Sequence, residues 1–188
     1  MDSRFDSRAA RCARGAVVAL ALLAALAACA APPQTEKWRQ WDIDFEEGKK
    51  PWQEIESMIP PYPRPEDLVQ FEGGAASQHR FFIDSKSLSV GEDRVVRYTL
   101  LVRTAGGTTN VSFEGMRCDT HELKYYALGQ ADGSWVRARN PQWRRLETQS
   151  INRHHYVLYA DVLCFGNVPV QTTREALHRL KYGPPTPK

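Results

Sequence analysis

The feature that most constrains the fold of this chain is an alternation of side chains that begins at Arg94. Every second residue is apolar, and these residues are Val96, Tyr98, Leu100 and Val102. The residues between them are Val95, Arg97, Thr99, Leu101 and Arg103. A period of two predicts a β-strand with one buried face. The turn-forming run 105–108 contains two glycines, so a second, antiparallel strand is expected from Thr109.

The register of this hairpin follows if Thr104 faces Thr109. Val102 then meets Val111, Leu100 meets Phe113, and Tyr98 covers Gly115. Beyond this point strict alternation would bury Arg117 and expose Cys118. We therefore expect a bulge at Glu114-Gly115 that reverses the orientation of the two residues.

Shorter patterns extend the sheet. Residues 81–84 predict a short strand, and residues 122–128 and 135–139 predict a second hairpin around the turn 131–134. Each of these segments follows or precedes residues that favour turns.

The last third of the chain predicts helices. Its first helical stripe consists of Tyr156, Val157, Ala160 and Cys164, with a strand as the alternative because the run is nearly all apolar. Thr172 and Glu175 form a capping box for a second helix that ends at Gly183. We expect an α+β fold, in which an antiparallel sheet of about five or six strands carries one or two C-terminal helices on one face.

The first thirty residues predict export from the cytoplasm. Four arginines precede an apolar run of about thirteen residues, 16–28, and a transmembrane helix needs about twenty. The run ends Leu26-Ala27-Ala28-Cys29, which resembles the lipobox of bacterial lipoproteins. The resemblance implies cleavage before Cys29 and lipidation of its sulfur and amine. The alternative is an ordinary signal peptide beside a cysteine.

The residue after Cys29 bears on which membrane would hold the anchor. Ala30 stands where an inner-membrane retention signal usually shows aspartate, so we expect a periplasm-facing protein at the outer membrane. This divides the chain into a removed signal peptide (1–28), a lipidated tether rich in Pro and Trp (29–76), and an α+β core (77–188).

Two features of the mature chain bear on its stability and its partners. Cys118 and Cys164 remain when Cys12 leaves with the signal peptide and Cys29 is lipidated, and thiols in an oxidising compartment pair. A redox or metal pair is the alternative, although Cys-x-x-Cys spacing is lacking.

Without residues 1–28 the chain keeps 21 basic and 20 acidic residues, so no nucleic-acid partner is expected.

The tether contains three tryptophans, which are unusual in a linker. Trp38, Trp41 and Trp52 are expected to dock on the core, and engagement of a partner is the alternative. The clustered prolines at 60, 61, 63 and 65 favour an extended path.

Three stretches of sequence carry a family resemblance. They are RFFIDSKSLSVGEDRVVRYTLLVRTAGGTTNVSFEGMRC, ADGSWVRARNPQW, and NRHH before the last cysteine. They resemble the cryptic neisserial protein-like (CNP-like) family of uncharacterised β-proteobacterial lipoproteins. The resemblance implies a lipoprotein with two family cysteines, here Cys118 and Cys164, and brings no enzymatic activity.

The arginines of the hairpin form the candidate binding surface. Arg97 and Arg103 share one face, Arg117 joins them if the bulge exists, and Glu114 would lie diagonal to Arg97. This set is either a solvated ion-pair ladder or a surface that binds an anion or a partner. Adjacent His154 and His155 are expected on different sides of a helix, so no metal site and no cofactor are predicted.

These observations favour a non-catalytic envelope lipoprotein that binds a protein or another envelope component and contacts the membrane through its lipid anchor. The alternative is a periplasmic small-ligand receptor or hydrolase-type enzyme that uses a polar patch on the sheet. Its residues would be Arg97, Arg103, Glu114, Asp119 and His121. A deep pocket that collects them would favour the alternative.

Overall fold

The computed structural model describes residues 51–74, 77–146 and 153–184. The strands are β1 (Leu68–Phe71), β2 (Arg80–Asp84), β3 (Ser89–Val90), β4 (Val95–Arg103), β5 (Thr109–Arg117), β6 (Glu122–Gly129), β7 (Trp135–Arg137) and β8 (Arg144–Arg145). They form one antiparallel sheet in the order β1-β2-β4-β5-β6-β7, with β3 on β4 and β8 on β6. Strand β1 lies within the stretch 29–76 that was assigned to the tether.

Helical elements follow the sheet. Helix α1 (Arg153–Val157) continues into a π-helical turn (Leu158–Leu163), and the hairpin β9 (Cys164–Phe165) and β10 (Val168–Pro169) leads to helix α2 (Thr173–Tyr182). The predicted α+β class, with helices after the sheet, is confirmed. Over the described ranges no helix is long and apolar enough to cross a membrane.

The hairpin β4–β5 is confirmed, but its predicted register is wrong by one residue. Arg103 pairs with Thr109, and Tyr98 pairs with Glu114. The reason lies in the loop, where the Thr104 N–H donates to the Thr108 carbonyl at 2.8 Å, so Thr104 faces Thr108 and the loop has three residues, 105–107, where the prediction assumed four.

The changed register makes the predicted bulge at Glu114-Gly115 unnecessary. Glu114 and Cys118 lie on the same face as Tyr98, and all three are buried. The pairing of β5 with β6 is irregular between Phe113 and Glu114, where β6 carries the extra residue Tyr126. Cys118 therefore points inward, as predicted, but the cause is the shifted register and not a bulge in β5.

Both faces of β4 are buried, whereas the sequence predicted one. Tyr98 and Leu100 pack against the helices, and Val95 and Thr99 are fully buried on the other face. Residues 52–64, the strap, pack against that second face: Tyr62 contacts a second apolar cluster formed by Phe82, Leu101 and Val111. The second face of β4 carries buried Arg97 and Thr99 beside Val95 and Leu101, and these polar residues are the reason that the sequence pattern predicted a solvent-exposed face.

The strap is tied to the sheet by specific hydrogen bonds. The Trp52 indole N–H donates to the Asp93 carbonyl at 2.8 Å, and the Tyr62 hydroxyl donates to the Gln130 carbonyl at 3.0 Å. The predicted docking is confirmed for Trp52, whereas Trp38 and Trp41 lie outside the described residues. The strap is thus part of the folded unit.

Helix α1 forms as predicted, but its buried stripe differs. The buried positions of the helix and the turn are His154, His155, Leu158, Val162 and Leu163. Of the predicted stripe Cys164 is buried, whereas Tyr156 is 37% exposed. The π-helical turn widens the helix, so its buried positions do not follow the ordinary period.

The Cys118–Cys164 disulfide joins the end of β5 to the end of this turn, with a Cα–Cα distance of 5.6 Å.

The predicted N-cap of α2 is present, but the Glu175 side chain accepts a hydrogen bond from the Gln171 N–H and not the reciprocal bond from Thr172 that a capping box requires. The Glu175 N–H donates to the Thr172 Oγ1 at 3.2 Å, and the helix ends at Gly183, whose φ of 80° favours glycine. Ala176 and Leu180 are buried in the cluster that also contains Leu158 and Val162. The helices and the sheet therefore share one core.

Candidate functional site

The candidate site is a cavity of about 300 Å³ on the helix side of the sheet, beside the turn end of the β4–β5 hairpin. Strands β4, β5 and β6 form one wall, and the start of α1 forms another. The lining residues are His79, Phe81, Leu100, Val102, Thr104, Asn110, Val111, Ser112, Glu114, Tyr125, Leu128, His154 and His155. The volume is at the lower end of the range for ligand pockets.

Glu114 occupies the inner wall of the cavity, where its side chain is fully buried. Its Oε2 lies 3.0 Å from His155 Nε2, and its Oε1 accepts a hydrogen bond of 2.5 Å from the Ser112 hydroxyl. The Tyr98 hydroxyl also faces this carboxylate without forming a hydrogen bond of good geometry. The strand presents the carboxylate, and α1 brings the imidazole to it across 41 residues of sequence.

These contacts determine the protonation of Glu114. Burial by itself raises the pKa of its carboxyl, but the charge and hydrogen bond of His155, together with the hydrogen bond from Ser112, outweigh burial and lower the pKa below its ordinary value. Burial and the nearby Glu114 charge raise the pKa of the Tyr98 hydroxyl well above its ordinary value. Glu114 is therefore ionised at neutral pH, and Tyr98 keeps its proton.

His154 and His155 lie together, contrary to the prediction that they diverge. Their ring centroids are 4.1 Å apart, and both side chains are buried. The His154 ring also stacks on Phe81 with a centroid distance of 4.6 Å. Burial and the neighbouring His155 lower the pKa of His154 to about 4.

This pKa predicts a loss of stability on acidification. An unfolded histidine binds its proton near pH 6.5 and folded His154 only near pH 4, so protonation favours the unfolded chain between those values. We expect the free energy of unfolding to fall by about 2 kcal/mol between pH 7 and pH 5 through this group. Urea unfolding of His154→Phe, which keeps the stack on Phe81, should show a correspondingly smaller fall over that interval.

The matched control for this prediction is His178→Gln. His178 is exposed on α2, so its substitution should leave the pH dependence of the wild type unchanged. An equal fall in stability for His154→Phe and the wild type would contradict the assignment.

The hydrogen bonds of the cluster define what it can do chemically. The Ser112 hydroxyl donates to the carboxylate and not to the imidazole, so the nucleophile–base contact of a hydrolase triad is not formed. No group of three or more metal-ligating side chains occurs among the residues that the structure describes. The arrangement is instead that of a buried, ionised hydrogen-bond acceptor at the back of a largely apolar cavity.

The predicted arginine face exists, but two of its guanidinium groups are engaged. Arg97 is buried and pairs with Asp93 at 2.6 Å. Arg117 lies 3.8 Å from the centre of the Trp52 ring and donates to Glu122. Arg103 is exposed over Phe82, so it is the member of the set that remains open to solvent.

The expected diagonal pairing of Arg97 with Glu114 is wrong, because the register places the two residues on opposite faces. His121 is also separate from the cavity, since its Nε2 lies 2.8 Å from Asn167 Oδ1 near the disulfide. Asp119 lies near Arg117 on the exposed loop after β5. The residues proposed for an enzyme or receptor are therefore not gathered in one pocket.

Sequence reasoning missed His154, His155 and Ser112 as members of the site. The NRHH motif was the available signal, because two adjacent histidines in an otherwise apolar run require partners if they are buried. Their partner Glu114 was assigned to the wrong face, so the pair was not recognised.

The fold and the cavity define a small α+β domain with a ligand-sized pocket on the helix side of its sheet. Residues 47–181 match the CNP1-like family. The chain belongs to that family, as the quoted stretches of sequence predicted. No curated protein and no solved structure gave a significant match.

Proposed function

We propose that the protein is a lipid-anchored lipoprotein of the bacterial envelope, facing the periplasm from the outer membrane. In this proposal its folded unit is not an enzyme and binds a protein or another envelope component. The lipobox ending at Cys29 supports the anchor. The Cys118–Cys164 disulfide supports an oxidising compartment, because such bonds are rare in the cytoplasm.

The observation that carries the binding proposal is the cavity with Glu114 in its inner wall. Its apolar lining provides surface for burial, and the exposed polar side chains of His79 and Asn110 provide orientation, which is the usual composition of a binding site. At its rim Leu128 is 46% exposed, a large apolar side chain in contact with solvent. A partner that covers the rim would bury this side chain.

In-cell photo-crosslinking tests the proposal. A photoreactive phenylalanine in place of Leu128 should crosslink a partner, whereas the same probe in place of Met58 should not. Met58 is 89% exposed and does not line the cavity, so it controls for random collision. Labelling with radioactive palmitate in the same cells should mark the chain and should be abolished by Cys29→Ala.

Each readout has a contradicting outcome. Equal palmitate labelling of the wild type and Cys29→Ala would refute the anchor. Equal crosslinking from positions 128 and 58, or none from position 128, would refute binding at the cavity.

A further inference from the structure

One end of the sheet carries the point at which the tether joins the strap. The ring of Trp52, the first residue of the strap, lies 3.8 Å from the guanidinium of Arg117 at the end of β5. The next residue of the chain, Cys118, forms the disulfide with Cys164 and so brings the β9–β10 hairpin to the same end. We call this region the tether end, and it comprises residues 52–55, 118–121 and 165–168.

The tether end exposes apolar side chains that the core does not cover. Phe165 and Val168 pair across the β9–β10 hairpin, so their side chains share one face of it, and Phe165 is 67% exposed. Val168 on the hairpin and Trp52 and Ile55 on the strap are exposed as well. Within the described part of the chain, none of the four belongs to either apolar cluster. Exposed apolar side chains grouped in this way mark a surface that another body covers.

The turn that presents the exposed hairpin pair is held in place. Its central residues, Gly166 and Asn167, have φ of 53° and 69°, and a type I′ turn requires positive φ at both positions. His121 Nε2 lies 2.8 Å from Asn167 Oδ1, and the Tyr159 hydroxyl donates to the same oxygen at 2.8 Å. The exposure of the pair is therefore a property of the folded unit.

The tether identifies what lies opposite this end. Residues 30–51 separate Cys29, the predicted lipidation site, from Trp52, and these 22 residues can span at most about 75 Å. A chain anchored at Cys29 therefore keeps the tether end near the bilayer, where even a weak contact acts as an intramolecular one. Aromatic side chains are favoured at the level of the lipid headgroups, because their rings are amphipathic or apolar and are partly buried there.

Resting on the lipid anchor of the proposed function, we infer that the tether end lies on the surface of the bilayer. Phe165, Val168 and Trp52 enter the headgroup region, and the folded unit has one orientation on the membrane. The contact is apolar, so it does not require anionic lipid.

This orientation turns the cavity away from the membrane. Strand β5 runs from Thr109, at the cavity end of the sheet, to Arg117 at the tether end, and its nine residues extend about 27 Å. Leu128 at the rim of the cavity is then presented to the periplasm, where a partner can reach it.

Paramagnetic broadening of NMR signals by a lipid probe tests the orientation. The mature chain, residues 29–188, is coupled through the Cys29 thiol to a maleimide lipid in phosphatidylcholine nanodiscs. The coupling is specific because Cys118 and Cys164 are joined to each other. A gadolinium-chelating lipid then broadens amide signals according to their distance from the headgroups. We expect the amides of residues 165–168 to be broadened several-fold more than those of 105–107, the turn at the opposite end of the sheet.

The double variant Phe165→Ser with Val168→Ser removes the apolar contact of the hairpin. Both side chains are exposed, so the fold should persist, and unchanged signals from the core would verify this. Broadening at residues 119–120 should fall to the level of the far turn. Val136→Ser is the matched control, because Val136 is an exposed apolar residue that pairs with Leu128 at the cavity end. It should keep the pattern of the wild type.

Three outcomes would overturn the inference. They are equal broadening at the two ends, selective broadening that persists in the double variant, and shifts of the signals of residues 165–168 with protein concentration in the absence of lipid. The last outcome would show that a second copy of the chain covers this end.

The palmitate experiment separates this result from the proposed function, because coupling in vitro does not depend on lipidation in cells. Selective broadening without palmitate labelling would support the contact with the bilayer and refute the natural anchor. Palmitate labelling with equal broadening at the two ends would leave the anchor standing and refute the orientation.

Discussion

Replacing Asp93 by alanine is expected to lower the free energy of unfolding by about 3–5 kcal/mol, the largest effect of any single substitution proposed for this protein. Arg97 Nη1 donates to Asp93 Oδ1 at 3.0 Å, and Arg97 Nη2 donates to Asp93 Oδ2 at 2.6 Å. Both side chains are buried, at 6% and 1% exposure. Without Asp93 the guanidinium group would stay buried with no counter-charge.

Asp93 also holds the strap. Its Oδ2 accepts a hydrogen bond from the Ile55 N–H at 2.9 Å, and Arg97 Nη2 donates to the Ile55 carbonyl at 2.8 Å. Burial by itself raises the pKa of Asp93, but the hydrogen bonds from Arg97, Ile55 and Val95 outweigh it, and the pKa lies below its ordinary value. Loss of the carboxylate should therefore release Trp52 as well, which a change in tryptophan fluorescence would report.

The test is urea unfolding of Asp93→Ala beside two controls. Glu66→Gln removes an exposed pairing with Arg64, which should change stability by less than about 1 kcal/mol. The double variant Asp93→Ala with Arg97→Met removes the unpaired charge and should recover part of the loss. A cost below about 1 kcal/mol for Asp93→Ala alone would show that the ion pair does not hold the strap to the sheet.

Removing the Cys118–Cys164 disulfide is expected to cost about 3–4 kcal/mol. The bond closes a loop of 46 residues, and in the chain-entropy model that constraint acts mainly on the unfolded chain. In the folded state the same bond ties the end of β5 to the π-helical turn that follows the histidines. Its loss should therefore loosen α1 relative to the sheet.

The measurement compares the oxidised wild type, the reduced wild type and the variant Cys118→Ala with Cys164→Ala in urea unfolding. The reduced wild type keeps both sulfur atoms in the core, so it isolates the constraint from the loss of packing. The double variant should be slightly less stable than the reduced wild type, because both cysteines are buried. Equal stability of the oxidised and reduced wild type would show that the bond contributes nothing.

The sequence predicted the features that depend on local patterns. Strands β4 and β5, the second hairpin and the capped helix α2 were predicted from alternation, turn residues and a capping box, each of which acts over a few residues. The Cys118–Cys164 pair was predicted from the number of cysteines left in an oxidising compartment. These inferences required no knowledge of what lies on the far side of the sheet.

The tertiary structure decided which faces and partners these elements have. A shift of one residue in the β4–β5 loop moved Glu114 from the arginine face to the helix face, because side chains in a strand alternate. The strap buried Arg97, which the local pattern placed in solvent. Glu114 meets His155 only because the sheet and α1 pack together, and contact between residues so distant in sequence follows from the packing of the whole domain.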